Sequence, residues 1–145
     1  MGLGMENYKE LIVWQKSVSL CIELYGIVKK FPENERYGLI TQIQKASTSV
    51  PANIAEGWGR GSTKEYIQFL HIARGSLMEL ETHLIISQQL GYIEIDNCNA
   101  LQRYIEEIGK MINQLIKSLK KVNVRRLITN SQPLTPNPNI LNPKP

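Results

Sequence analysis

Few residues in this 145-residue chain have the type and spacing that chemistry requires. His71 and His83 stand twelve residues apart on one helical pattern, and no third ligand is spaced to join them. Each reads as a surface or interface histidine. A di-iron bundle would need Glu-x-x-His pairs, but the residues three beyond Glu65, Glu79, Glu81 and Glu106 are Gln68, Thr82, Leu84 and Gly109. Ser47, Ser49 and Ser76 lack a histidine at helical spacing that could serve as a base. The glycine-rich run of residues 57–61 follows no strand, so a phosphate-cradling loop is disfavoured. Cys21 and Cys98 have no CxxC partner and read as buried thiols of a reducing cytoplasm. No catalytic residue, metal or cofactor is expected.

Two polar sets remain. From Leu101 onward eight basic residues face two acidic ones, a net of +6, whereas the first hundred residues carry nine against eleven, a net of −2. A basic final third on a near-neutral body points to a local anionic partner. Arg103, Lys110 and Lys117 recur every seven residues opposite an apolar seam, and Lys120, Lys121, Arg125 and Arg126 continue the charge, so these seven are the candidate residues for a polyanionic partner such as a nucleic acid. The bland alternative is a solvated helix face. The second set is a ridge, Gln42, Lys45, Ser49, Asn53, Glu56 and Arg60, three or four residues apart. Asn53, Glu56 and Arg60 could join Glu79 and Glu81 of a facing helix in a charged network. The favoured structural reading has Asn53 and Glu56 satisfy backbone freed by Pro51, which predicts a kink or break in their helix, while Arg60 pairs with a carboxylate.

Four apolar seams must position these groups. Leu11, Trp14, Val18, Cys21, Tyr25 and Val28 mark a first helix over about 9–31, stopped by Pro32. Ile12, Leu20, Ile22, Leu24 and Ile27 widen its apolar surface, which suggests contact with another subunit. A second helix, 35–58, carries Ile40, Ile43, Ser47, Val50, Ile54 and Gly57, and Gly57, Gly59 and Gly61 close it by tolerating positive φ. Ser62 or Thr63 caps a third, 63–90, with Glu65 completing a capping box; its seam is Tyr66, Leu70, Ala73, Leu77, Leu80, Leu84 and Ser87. Ala73, Gly75 and Ser76 thin its middle so that the second helix can approach near Pro51. The fourth, 96–122, carries Leu101, Ile105, Ile108, Ile112, Leu115, Leu119 and Val122. Short links make the chain an all-α, antiparallel up-down-up-down four-helix bundle over 8–122, followed by a disordered, Pro-rich tail over 123–145. No run approaches the roughly 18 apolar residues of a membrane span, and MGLGMENYKE has no signal-peptide pattern.

The blocks NIAEG (53–57), GSLMELET (75–82) and LGYI (90–93), set within SVPANIAEGWGRGSTKEYIQFLHIARGSLMELETHL, resemble the family of 23S rRNA intervening-sequence proteins, also labelled S23 ribosomal proteins. The resemblance spans roughly residues 8 to 121. It marks Asn53, Glu56, Gly57, Arg60, Gly75, Glu79 and Glu81 as family-motif or interface positions. It implies a small cytoplasmic bundle, commonly a homopentamer, without established enzymatic activity. The expected function is therefore non-enzymatic binding of RNA or a ribonucleoprotein. Similar bundles serve reverse transcriptases of diversity-generating retroelements as accessory subunits, which is the alternative, beside a protein-only scaffold.

Overall fold

The computed structural model of the protein describes residues 6–131, and the proline-rich segment from 132 onward lies outside the described residues. Four helices follow one another, α1 (Ile12–Val28), α2 (Leu39–Gly59), α3 (Thr63–Gln89) and α4 (Ile95–Ser131), and no strand occurs among the described residues. The fold is the expected antiparallel four-helix bundle. α2 packs along α3, α1 lies against α2 and α4, and α3 against α4. The pairs Thr63–Arg126, Arg74–Asn113 and Glu81–Gln102 advance along α3 as they go back along α4, as antiparallel packing requires.

Local chemistry sets the helix ends. Ser62 caps α3: its Oγ accepts from the Glu65 amide at 3.2 Å and donates to Glu65 Oε1 at 3.1 Å. Gly91, at φ 84°, ends it, with the Tyr92 amide reaching back to the Ser87 carbonyl at 2.9 Å and the Gly91 amide to that of Gln88. Glu35 ties two links together, because Oε1 accepts from the Leu39 amide at 3.1 Å and Oε2 from the Tyr92 hydroxyl at 2.9 Å. That bond to a carboxylate, with some burial, raises the Tyr92 pKa. Gly57, Gly59 and Gly61 do not take the positive φ expected of them, since Gly91 alone has it among the described residues. Gly57 serves packing instead: a Cβ there would meet Phe69 Cβ at 2.9 Å and the Tyr66 ring at 3.0 Å.

Seams two and three lie in the core, with only Ile40 partly buried. Seam one differs. α1 buries Val13, Ser17, Leu20, Cys21, Leu24 and Val28, while Trp14 and Val18 are half-buried and Tyr25 is 41% exposed. Leu20 and Leu24, expected on an outer surface, are core residues. α1 is apolar over so much of its circumference that two stripes at helical spacing fit it, and contact with α2 and α4 selects one. On α4 Ile116 is buried where Leu115 was expected, and Val122 is exposed. That helix also runs to Ser131, past the expected end at 122.

Pro51 does not break α2. It deprives the Ser47 carbonyl, four residues back, of its helical donor. The Cys21 thiol of α1 donates to that carbonyl at 2.9 Å, so the neighbouring helix replaces the missing bond. Burial pushes the Cys21 pKa up, which keeps the thiol protonated for this role. The substitution of a side-chain donor for a backbone one explains why a buried proline is tolerated mid-helix.

Candidate nucleic-acid interface

α4 positions the basic set. Its core stripe, Leu101, Ile105, Ile108, Ile112 and Ile116, faces the bundle. Helical periodicity therefore carries Arg103, Lys110, Lys117 and Lys121 to the exposed side, with Lys120 and Arg125 also exposed. Among the described residues the ion pairs are Lys16–Glu107 at 3.1 Å, Arg36–Glu33 at 3.8 Å and Arg60–Glu56 at 3.2 Å, so none of these six cations is matched by a carboxylate. Glu107, one of two acids on the helix near them, is taken up by Lys16 of α1. Lys117, Lys120, Lys121 and Arg125 line a shallow groove beside Val124. Arg126 is held apart, donating from Nη1 to Thr63 Oγ1 at 3.4 Å.

α3 adds a cation that the sequence reading missed. Arg74 donates from Nη1 to Asn113 Oδ1 of α4 at 2.7 Å, and its Nη2 lies 3.0 Å from His71 Nδ1. Burial, then the charges of Arg74 and Lys120, hold the His71 pKa below the ordinary histidine value. The ring is thus neutral at pH 7, with Nδ1 the acceptor. Because the ring feels both Arg74 and Lys120, these cations approach one place from two helices. The signal was available: pairing α3 with α4 across the Gly91 link puts Arg74 level with the residues between Lys110 and Lys117.

The ridge of α2 pairs Arg60 with a carboxylate as expected, but not through a network with Glu79 and Glu81. Glu56 pairs with Arg60, whose guanidinium lies 4.8 Å from the centroid of Phe69 on α3. Asn53 Nδ2 donates to the Ser49 carbonyl at 2.7 Å and to Ser49 Oγ at 2.9 Å, and Ser76 of α3 donates to that same Oγ at 2.8 Å. Glu79 and Glu81 do not join this ridge. Glu81 instead offers its backbone carbonyl to Gln102 Nε2 at 3.4 Å, and Glu79 is exposed. Nor does Gly75 thin the α2–α3 contact. It is exposed with nothing within 4 Å of a built Cβ, while Ser76 meets Ser49 of α2 and Ala73 is buried. Among the described residues no three His, Cys, Asp or Glu side chains converge as a metal site, and no helix is long and apolar enough to cross a membrane.

Known proteins agree with this architecture. A crystal structure of a protein of unknown function from the S23 ribosomal protein family of Bacteroides thetaiotaomicron superimposes with a TM-score of 0.66 at 26% identity. The match covers 73% of this chain and 99% of the other. No curated protein matches. The family described as 23S rRNA-intervening sequence protein matches residues 9–114, from the start of α1 into the basic part of α4, and the chain belongs to that family.

Proposed function

We propose that this chain is a non-enzymatic, oligomeric RNA-binding bundle of the cytoplasm, gripping RNA or a ribonucleoprotein through the basic flank shared by α4 and α3. The observation that carries this reading is a set of unpaired cations: Arg103, Lys110, Lys117, Lys120, Lys121 and Arg125 form no ion pair among the described residues, and Arg74 joins them through two neutral partners. A row of unmatched cations is what a polyanion neutralises, with counterion release as the driving force. The family's association with 23S rRNA insertions supports RNA as that polyanion. Homo-oligomerisation is supported by apolar side chains on outer faces, Ile22 at 68% exposure and Ile72, Ile85 and Ile86 of α3, and the pentamer is the state that the family resemblance implies.

Binding of single-stranded RNA should weaken steeply with salt, with a log–log slope of roughly −0.7 per phosphate neutralised. Reversing Lys110, Lys117 and Lys121 to Glu should weaken it for all sequences alike while the oligomer, followed by light scattering, persists. Unchanged affinity at low salt would refute the reading and favour a scaffold that binds protein only.

A further inference from the structure

We propose that Arg74 is a phosphate-binding residue: Asn113 and His71 hold its guanidinium open so that, with Lys117 and Lys120, it takes one phosphodiester group of an RNA backbone on the α3–α4 flank. This rests on the RNA-binding reading and adds to it a specific residue on a second helix, with two positioning residues behind it.

A guanidinium has five N–H donors in a planar fork. Two are engaged here, by Asn113 Oδ1 at 2.7 Å and His71 Nδ1 at 3.0 Å, which leaves three for a ligand. Both acceptors are neutral. An arginine that only fastened two helices together would be expected to take a carboxylate. No carboxylate among the described residues lies within ion-pair distance of Arg74. The side chain is therefore fixed in direction while its charge stays available. A fork restrained before the ligand arrives loses less freedom on binding than a loose one, and its geometry matches two oxygens of a phosphate.

The surroundings raise the local potential. Asn113, which holds Arg74, is followed on the same side of α4 by Lys117 one turn on and Lys120 a further turn on, and the charges of Arg74 and Lys120 add to burial in depressing the His71 pKa. From this point Lys110, Lys117 and Lys121 continue along the exposed side of the helix at steps of seven and four. Such a line of cations suits a polymer of evenly spaced charges better than a single acidic side chain. A phosphodiester backbone is accordingly favoured over an acidic peptide.

The test uses the full chain and a fluorescein-labelled single-stranded RNA of mixed sequence, titrated by fluorescence anisotropy at several salt concentrations. Arg74→Ala should weaken binding about tenfold, the low end for a hydrogen bond between charged groups, and make the salt slope shallower by about 0.7. Arg74→Lys should recover little, since an ammonium cannot engage both neutral acceptors and a phosphate fork. Asn113→Ala should weaken binding in the parent but add nothing to Arg74→Ala, a coupling that a merely structural role would not give. Thermal unfolding of Arg74→Lys at the parent temperature verifies the fold. Parent-like affinity in Arg74→Ala or Arg74→Lys, while the triple charge reversal still weakens binding, would overturn the Arg74 assignment and leave the wider reading standing. A parent protein that does not bind the RNA overturns both. Displacement of the RNA by polyglutamate at equal charge concentration would transfer the site to an acidic protein.

Discussion

The two flanks of α3 handle polar groups in opposite ways. Toward α2, the ridge groups are paired internally: Ser76 meets Ser49, Asn53 completes the same cluster, and Arg60 pairs with Glu56 while resting on Phe69. Toward the outer side of α4, cations gather without ion pairs among the described residues, and Arg74 is held by groups that leave its charge uncancelled. A closed network stabilises the chain that contains it. An open one leaves like charges to repel one another.

The contrast makes unequal predictions. The largest concerns the closed flank, where Gly57→Val would push a side chain into Phe69 and the Tyr66 carbonyl, 3.2 Å from the added Cβ. Overpacking between two helix backbones should cost about 3 kcal/mol in chemical denaturation. A loss below about 1 kcal/mol would mean that α2 and α3 separate easily and that the closed flank is not tight.

Next comes Tyr66, 1% exposed, whose hydroxyl has no hydrogen-bond partner among the described residues. Burial pushes its pKa from 10.0 up to about 12. The folded chain therefore holds this proton more tightly than the unfolded one. Its contribution is intact below pH 10 and lost as pH rises through about 12, a loss of about 2 to 3 kcal/mol. Tyr66→Phe should abolish that part of the alkaline destabilisation, read from denaturation midpoints at successive pH values. Since the hydroxyl is unpaired, the same substitution should leave stability at pH 7 unchanged or raise it.

Cys21→Ala should cost about 1 to 2 kcal/mol, because it orphans the Ser47 carbonyl beneath Pro51. Cys21→Ser, which retains a donor, should recover much of this. Equal losses in the two variants would show that the thiol contributes by volume alone. The smallest effects belong to the open flank: Lys117→Ala and Lys121→Ala should each shift stability by less than about 0.5 kcal/mol in the absence of RNA. A larger loss would assign these lysines to the fold and remove the contrast.

Seams two and three were readable because their apolar residues occupy one stripe each, leaving a single way to bury them. Seam one was not. Leu20 and Leu24 compete there with Trp14, Val18 and Tyr25, and a helix apolar on several sides does not by itself say which side is inward. The candidate site divided in the same way. Arg103, Lys110 and Lys117 follow from periodicity within one helix, whereas Arg74 and Asn113 belong to one site only because two helices run side by side.

Periodicity and capping chemistry thus determined the helix count, the approximate boundaries, the antiparallel order and the basic side of α4. These depend on spacing along the chain, where the helical repeat is constant. Only the tertiary structure decided which stripe of α1 is core, that Cys21 serves the carbonyl left by Pro51, that Gly57 rather than Gly75 admits the neighbouring helix, and that Glu79 and Glu81 stay apart from the α2 ridge. Each of these depends on the rotation of one helix against another. Packing of whole faces sets that rotation, which no residue's own neighbours in sequence specify.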